Sequence, residues 1–276
     1  MSLVVNTNVA SLTAQRFLGN ATGALNANLG HLASGLRIAT AGDDASGLGI
    51  SERMRASIRS QGAALRNLED GISLAQTAEG ALNEVHGMLS RLRELAVQSL
   101  NGTNGAQDRA QLEQEARTIV TELDRVARST EFNGKKLLDG TANGLALQVG
   151  VEQGDTITLA LTSASSTALG VRAVHVDTVA RAQSALASVD TAIQRVSTLR
   201  GTLGATTNRL QSAYASTQVA RENLSASESR IRDVDVAAET SELVKHGILQ
   251  QSALAMLQQA NVQPALALVL LSPQNN

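Results

Sequence analysis

The chain of 276 residues contains no cysteine and no tryptophan, and its aromatic residues are two phenylalanines and one tyrosine. The missing cysteines exclude disulfides, thiolate metal sites and cysteine nucleophiles. Most ligand pockets and globular cores use aromatic rings for contact area, and this chain has almost none to offer. Its 43% hydrophobic content therefore consists mainly of alanine and aliphatic residues, a composition typical of long helical bundles.

The net charge of the chain is small and its apolar runs are short. A net charge of −2 argues against a nucleic-acid partner, because such proteins present a basic face. The longest apolar run, from Ala265 to Leu271, is far shorter than the ~20 residues of a membrane span. The first basic residue is Arg16, so the basic start of a Sec signal is missing. Composition alone therefore predicts a soluble intracellular chain, an expectation that fails if export uses another route.

The first segment of the chain carries leucines at helical spacing. Leu18, Leu25, Leu29, Leu32 and Leu36 are separated by steps of seven, four, three and four. Such steps form a heptad seam and predict an amphipathic helix within residues 1–37. The helix is interrupted at residues 41–44, where one of two consecutive aspartates can cap the helix that follows.

The same 3/4 spacing predicts further helices along the chain. Their expected ranges are about 45–100, 107–129, 177–230 and 237–262, the last ending near Pro264. Between the helices at 107–129 and 177–230, strict alternation at Leu145–Val151 and Ile157–Leu161 predicts a β-hairpin.

These patterns predict a mainly α fold, a long antiparallel helical bundle or coiled coil with one small β-hairpin region. The N- and C-terminal helices are expected to pair at one end of the bundle. We expect residues 1–42 and 236–276 to form one domain and residues 43–235 another, with the hairpin at about 140–175. A terminal helix pair with apolar stripes and no core of its own needs a partner, and another copy of the chain is the simplest one.

Several segments together resemble the bacterial flagellin family. Residues 32–38 (LASGLRI) and 43–50 (DDASGLGI) are similar to its LSSGLRI…DDAAGLAI stretch. Further similar segments are LSRLRELAVQ at 89–98, FNGKKLL at 132–138, LQVG at 147–150 and ARENLSASESRIRDVD at 220–235. The motifs occur in the family's order at both ends of the chain. The family's variable outer domains are missing, so the chain resembles a short form of flagellin.

The resemblance implies a structural protein that self-assembles into the flagellar filament for motility. It implies export in a largely unfolded state through the flagellar secretion channel, and hence an extracellular location in the filament or at the cell surface. The implied partners are other copies of the chain, a flagellar export chaperone, and the filament cap and hook–filament junction proteins. A vertebrate flagellin-sensing Toll-like receptor is a further implied partner.

The resemblance and the apolar stripes together give three sets of candidate residues. Receptor recognition is assigned to Arg91, Leu95 and Glu115. The connector between the first helix and the bundle is assigned to Arg37, Asp43 and Asp44. Filament-core packing is assigned to Leu18, Leu25, Leu29, Leu32, Leu36, Leu243, Leu254, Leu257, Leu268, Leu270 and Leu271.

No residue pattern points to catalysis or to a bound cofactor. The four histidines, at 31, 86, 175 and 246, are scattered without the spacing of metal ligands, and no Ser/His/Asp constellation is identifiable. We therefore predict no metal, no cofactor and no enzymatic activity. Two other interpretations stay open: a hook–filament junction protein, and a flagellin relative displayed on the cell surface as a ligand-binding or adhesive protein.

Overall fold

A computed structural model describes the backbone of residues 7–271 and the side chains of residues 7–262. Within this part of the chain it contains six helices and two pairs of short antiparallel strands. In chain order they are α1 Val9–Ser34, α2 Ala45–Leu100, α3 Ala106–Ser129, β1 Glu131–Phe132, β2 Lys135–Lys136, β3 Asn143–Gln148, β4 Thr156–Ala160, α4 Ser166–Leu169, α5 Val179–Arg232 and α6 Val236–Leu271.

The predicted fold class is confirmed, and most helix boundaries agree with the apolar periodicity. Helix α2 has the predicted bounds, and α3 and α5 differ from prediction by two residues or fewer. The predicted end of the last helix is wrong, because α6 continues past Pro264 to Leu271. Proline removes one backbone donor, but the alanines and leucines that follow it are strong helix formers.

The chain forms two compact units. The first unit comprises the residues up to Ala56 and those from Asn223 onward, and the second comprises Ser57–Glu222. The predicted domain boundaries, at 42/43 and 235/236, lie inside the first unit and stay a prediction.

The second unit is built around a main apolar core that draws side chains from α2, α3, α4, α5 and β4, and a smaller cluster contains Leu68, Ile157 and Leu210. Helices α2 and α5 run antiparallel in it. Arg93 Nε donates to Asp190 Oδ1 at 2.7 Å, whereas Tyr214 donates to Glu69 Oε1 at 2.9 Å. A later residue of α2 thus contacts an earlier residue of α5, as expected for antiparallel helices.

The predicted β-hairpin is present as the antiparallel pair β3–β4, in which Leu147 lies opposite Ile157. Strand β3 ends at Gln148, so the predicted alternation beyond that point belongs to the turn, where Val151 is exposed. Leu147 packs so close to Gly71 of α2 that a Cβ there would lie 2.5 Å from its Cδ1. Glycine at position 71 therefore lets the hairpin approach the helix.

A second, smaller hairpin was not predicted. Strands β1 and β2 are joined by Asn133 and Gly134, whose φ angles are 48° and 76°. Two positive φ angles in succession are typical of a type I′ turn, for which Asn-Gly is the preferred sequence. The Asn-Gly pair was therefore the signal that could have predicted this hairpin.

Candidate assembly surface

The first unit is held together by an antiparallel pairing of α1 with α6. Side-chain hydrogen bonds join the start of α1 to the residues near 260 of α6, and later residues of α1 to earlier residues of α6. Among them are Asn8 Nδ2, at the N-cap of α1, to the Ala260 carbonyl at 2.7 Å, Ser11 Oγ to Asn261 Oδ1 at 2.8 Å and Gln250 Nε2 to Thr22 Oγ1 at 3.1 Å.

The side chains buried along this pair are small or polar. They are Ser11, Ala14, Ala21 and Asn28 on α1, and Ala253 and Ala260 on α6. The half-buried Leu18, Leu25 and Leu32 alternate with them in steps of three and four. The face of α1 that contacts α6 is therefore packed mainly through alanines, and the leucines on that face are only partly buried.

The large apolar side chains of the pair face outward instead. Those exposed by 44% to 67% are Val9, Leu12, Phe17, Leu29, Val236, Val244, Ile248, Leu249, Leu254, Met256 and Val262. A groove of about 900 Å³ runs along one side of the pair, between the outer residues of both helices. Its floor includes Ala14, Ala21 and Ala253, and its walls include Phe17 and Met256. Contiguous exposed apolar surface of this kind marks an interaction site.

The predicted filament-core leucines lie on or beside this surface. Leu29 and Leu254 are 48% and 44% exposed. Leu18, Leu25, Leu32, Leu36, Leu243 and Leu257 are half-buried. The side chains of Leu268, Leu270 and Leu271 lie outside the described residues. No predicted leucine whose side chain is described is fully buried by its own chain, and the packing role of the set stays a prediction.

The predicted connector residues each have a defined contact in the first unit. The backbone N–H of Arg37 donates to the Arg232 carbonyl at 2.7 Å, and its Nη2 donates to the Ile231 carbonyl at 2.5 Å. Asp43 Oδ2 accepts hydrogen bonds from the backbone N–H groups of Thr40, at 2.8 Å, and Ala39, at 3.1 Å. The bond from Thr40 is the main reason why the pKa of the Asp43 carboxyl lies below its usual value.

Asp44 is the residue that caps α2. Its Oδ1 accepts from the backbone N–H groups of Ser46, at 3.0 Å, and Gly47, at 2.9 Å. A Cβ at Gly47 would lie 2.4 Å from Asp44 Oδ2 and 2.8 Å from Ile38 Cδ1. Residue 47 therefore has to be glycine for the cap to keep this geometry.

The three predicted receptor residues are not equally accessible. Arg91 and Glu115 lie at the surface of the second unit, where Arg91 Nη2 is 2.7 Å from Glu115 Oε1. Hydrogen bonds to Glu115 and then Glu94 hold the pKa of the Arg91 guanidinium above its usual value. Leu95 has no exposed surface and belongs to the apolar core. The resemblance placed it beside Arg91 in the receptor set, and the recognition role of that set stays a prediction.

The structure also shows polar sites that the sequence interpretation missed. Arg232, which is 9% exposed, donates from Nη1 to Glu52 Oε1 at 2.7 Å. That bond, followed by one from Arg55, lowers the pKa of Glu52. His31 Nδ1 lies 2.9 Å from Glu239 Oε1, a partner 208 positions away. No local motif predicts contacts across such separations.

A third missed site lies in the second unit, where Glu113 of α3 is 7% exposed. Its carboxylate accepts hydrogen bonds from His175 Nδ1, the Val176 backbone N–H and Arg117 Nε, each at 2.7 Å. Burial of the Glu113 carboxyl raises its pKa, but these hydrogen bonds outweigh burial and leave the pKa below the usual value. The contacts fix the segment before α5 against α3.

The described residues contain no group of three His, Asp or Glu side chains placed to hold a metal ion. Among the helices described, none is both long enough and apolar enough to cross a membrane.

Comparison with known proteins gives two family matches. The sequence pattern described as the bacterial flagellin N-terminal helical region matches residues 5–143. The pattern described as the bacterial flagellin C-terminal helical region matches residues 186–271.

Similar proteins extend over nearly the whole chain. A flagellin of Halalkalibacterium halodurans is 48% identical, with 98% of this chain and 100% of that protein aligned. A flagellin of Bacillus subtilis is 43% identical, with 97% of this chain and 99% of that protein aligned.

Two solved structures are also similar. The crystal structure of Bacillus cereus flagellin is 34% identical, with a TM-score of 0.51, and the match covers 55% of this chain and 88% of that one. A putative flagellar hook-associated protein from Vibrio parahaemolyticus has a TM-score of 0.59 at 15% identity, covering 69% of this chain and 100% of that one. At that identity the second likeness shows the fold alone.

Proposed function

Because this chain belongs to the bacterial flagellin family, we propose that the outer apolar face of its α1–α6 pair is the surface on which copies pack. The chain is a structural subunit of the flagellar filament, which is an extracellular assembly. The full-length similarity to flagellins favours this function over a hook–filament junction protein or a ligand-binding surface protein. The family is structural, and the absence of enzymatic activity stays a prediction.

The observation that supports this surface is the outward placement of the large apolar side chains of α1 and α6. Phe17 is 59% exposed and Met256 is 67% exposed, and both line the groove between the helices. Full burial of a side chain of this size contributes roughly 1.5–3 kcal/mol. A few such contacts in each copy outweigh the cost of ordering the side chains that make them. The occupant of the groove is an apolar helix face of a neighbouring copy.

The exposed apolar face of α1 and α6 is also the reason why we propose that partner proteins bind the chain before assembly. Exposed apolar surface of this extent promotes premature association. An export chaperone that covers the α1–α6 face would prevent this, and export through the flagellar channel would deliver the chain to the growing end. We place the filament cap and the hook–filament junction proteins at the two ends of the polymer. Residues 1–42 and 236–276 form the proposed filament-core domain.

Recognition by the flagellin-sensing Toll-like receptor is proposed for the surface pair Arg91 and Glu115. Both side chains are about half exposed, at 51% and 44%, and are held together by their ion pair. Leu95, the third residue of the predicted set, is buried in the single copy.

The assembly surface is tested with matched pairs of substitutions in the full chain. The first variant carries Phe17→Ser and Met256→Ser in the groove. The control carries Val97→Ser and Val219→Ser, two exposed side chains of the second unit. Seeded polymerisation is followed by light scattering and electron microscopy. We expect filaments from the wild type and the control, and at least tenfold slower or no elongation from the groove variant. Wild-type elongation by the groove variant would exclude this face as the packing surface.

A further inference from the structure

The turn between α2 and α3 contains two of the chain's Asn-Gly pairs. The pairs in the chain are Asn101-Gly102, Asn104-Gly105, Asn133-Gly134 and Asn143-Gly144. In such a pair the backbone nitrogen of the glycine can attack the amide carbon of the asparagine, because glycine has no Cβ to obstruct the approach. In a folded protein the attack also depends on whether the reacting groups are held by hydrogen bonds.

We propose that Asn101 is a site of spontaneous self-modification, at which Gly102 converts the side-chain amide into a succinimide ring that water opens to aspartate or isoaspartate. The bond that forms joins Gly102 N to Asn101 Cγ, and the bond that breaks joins Cγ to Nδ2. Nδ2 leaves as ammonia and takes the proton of the Gly102 N–H. Water then adds its oxygen to one of the ring carbonyls and returns a proton to the nitrogen, so water is the co-reactant of the whole sequence.

The side chain of Asn101 is placed for this attack. Its Oδ1 accepts from the Thr103 N–H at 3.3 Å, a bond that folds the amide back over the peptide of Gly102. The same N–H can stabilise the negative charge that develops on Oδ1 in the tetrahedral intermediate. Asn101 and Gly102 are both exposed, so water has access to the ring.

The two groups that change bonds at this pair are unrestrained. Among the described residues, neither the Gly102 N–H nor Asn101 Nδ2 donates a hydrogen bond. A Cβ at Gly102 would meet no atom within 4 Å, which shows that the space beside the attacking nitrogen is open. Ring formation at Asn101 therefore breaks only the covalent bonds of the reaction itself.

At the neighbouring Asn104 the corresponding groups are both held. Its Nδ2 donates to the Gln98 carbonyl at 2.6 Å, and the Gly105 N–H donates to Asp108 Oδ2 at 2.9 Å. The second bond fixes the start of α3, and attack by Gly105 N would break it. Two Asn-Gly pairs in one turn thus differ in reactivity because of their hydrogen bonds.

The remaining two pairs belong to β-hairpins. Asn133 and Gly134 form the tight turn between β1 and β2, and Asn143 lies opposite Ala160 in the β3–β4 pair. Ring closure requires rotation of the asparagine backbone, which would disturb the strand pairing in both hairpins. The structure therefore ranks Asn101 first among the four asparagines.

The modification changes the end of α2. An aspartate in place of Asn101 puts a negative charge beside the last carbonyls of α2, which carry the negative end of the helix dipole. In isoaspartate the main chain runs through Cβ and Cγ, which displaces the Asn101 carbonyl that accepts from Arg109 Nη2 at 3.1 Å. Both products weaken the connection between α2 and α3.

The test is peptide mass spectrometry of the full chain, kept folded in neutral buffer and sampled over weeks. Conversion is detected as the mass difference between an amide and an acid, and fragmentation of the tryptic peptide 94–109 separates Asn101 from Asn104. We expect Asn101 to convert roughly fivefold faster than each of the other three, the rate effect of one hydrogen bond that need not be broken. The product should contain both aspartate and isoaspartate, since direct hydrolysis of the amide would give aspartate alone. In urea the four asparagines should convert at similar rates.

The matched variant is Gly102→Val, since a Cβ at this position contacts nothing and its branched side chain shields the attacking nitrogen. Conversion at Asn101 should then be undetectable over the period in which half of the wild type converts, while Asn104 should be unaffected. Another asparagine converting first in the folded chain, wild-type conversion at Asn101 in Gly102→Val, or aspartate as the only product would each overturn the proposal. The same ranking in urea would overturn it as well, because the fold would then not select Asn101.

Discussion

The two units of the chain bury different kinds of side chain. In the second unit, Leu82, Leu89, Leu92 and Leu123 have no exposed surface at all. In the α1–α6 pair of the first unit the apolar residues that are buried are alanines, joined by the polar Ser11 and Asn28. Of the sixteen large apolar residues that are exposed among the described side chains, twelve belong to the first unit.

This difference in burial indicates that the two units contribute differently, one to the stability of the single copy and the other to the proposed assembly. The second unit covers its leucines with its own helices, and its stability is therefore a property of the single copy. The first unit packs its two helices through small side chains and leaves its large ones exposed, on the face that we propose packs against other copies. A substitution in one unit should consequently change folding, whereas a substitution in the other should change assembly.

The largest effect is expected from Leu89→Ala, which would empty a fully buried position of the second unit. Large-to-small changes in a core cost about 2–5 kcal/mol. The free energy of unfolding of the monomer, measured by urea denaturation, should fall by that amount. Phe17→Ala in the first unit is the comparison, and should change it by less than ~0.5 kcal/mol, because the ring is 59% exposed. Equal losses in the two variants would contradict the division of roles.

A smaller loss is expected from Glu113→Gln in the second unit. The amide cannot accept all three hydrogen bonds of the carboxylate, which should cost about 1–3 kcal/mol at pH 7. Because the pKa of Glu113 is lowered by folding, the carboxylate stabilises the unit above the unfolded pKa, and that contribution is lost as pH falls through the folded pKa.

Urea midpoints of the wild type and Glu113→Gln, measured from pH 7 down into the acid range, test this prediction. The two midpoints should converge as the carboxylate gains its proton. Glu115→Gln is the control on the same helix, since Glu115 is exposed. A gap between wild type and Glu113→Gln that is constant with pH would show that ionisation of Glu113 does not contribute.

An intermediate effect is expected at the start of α2 in the first unit. Asp44→Ala removes the acceptor of the Ser46 and Gly47 N–H groups, and loss of such a cap costs about 1 kcal/mol. Amide exchange in the first turn of α2 should accelerate roughly fivefold, measured by nuclear magnetic resonance. Asp44→Asn keeps an acceptor oxygen and should stay close to the wild type. Equal acceleration in both variants would indicate that charge, not capping, is what Asp44 supplies.

The smallest effect is expected from Arg93→Gln, which breaks the pair with Asp190 across α2 and α5. Both side chains are about half exposed, at 48% and 49%, and such surface pairs contribute about 0–1 kcal/mol. The urea midpoint should shift little, and the shift should shrink further in high salt. A loss as large as that of Leu89→Ala would mean that the second unit depends on surface charge as much as on its core.

The periodicity of apolar residues was sufficient to predict the long helices, because each stripe is a local property of the sequence, whereas the four-residue helix α4 was not predicted. The approximate bounds of α2 could be predicted, since a capping aspartate precedes it and an Asn-Gly turn follows it. The end of α6 could not be predicted in this way, because the effect of Pro264 on a helix depends on the residues around it. The β1–β2 hairpin carried an Asn-Gly signal that was not used.

The site was predictable only in outline. A heptad of leucines on α1 indicated a helix that needs a partner, but Ala14 and Ala21 are the residues buried against α6. The heptad pattern alone does not show which apolar stripe of α1 is buried against α6 and which stays exposed on the surface of the single copy. The contacts of His31 and Glu113 join residues distant in sequence, and no local pattern encodes them. Leu95 was assigned from the resemblance, and its burial depends on packing that spacing alone does not give.

The outward apolar face of α1 and α6 has a consequence for how mutations act. In a polymer of one chain every substitution is present in all copies, so a weakened contact recurs at each subunit along its length. A loss too small to detect in the monomer is therefore multiplied by the number of subunits. Since we propose that Phe17 and Met256 pack between copies, polymers grown from a mixture of wild-type chains and chains that lack these side chains should become shorter as the variant fraction rises.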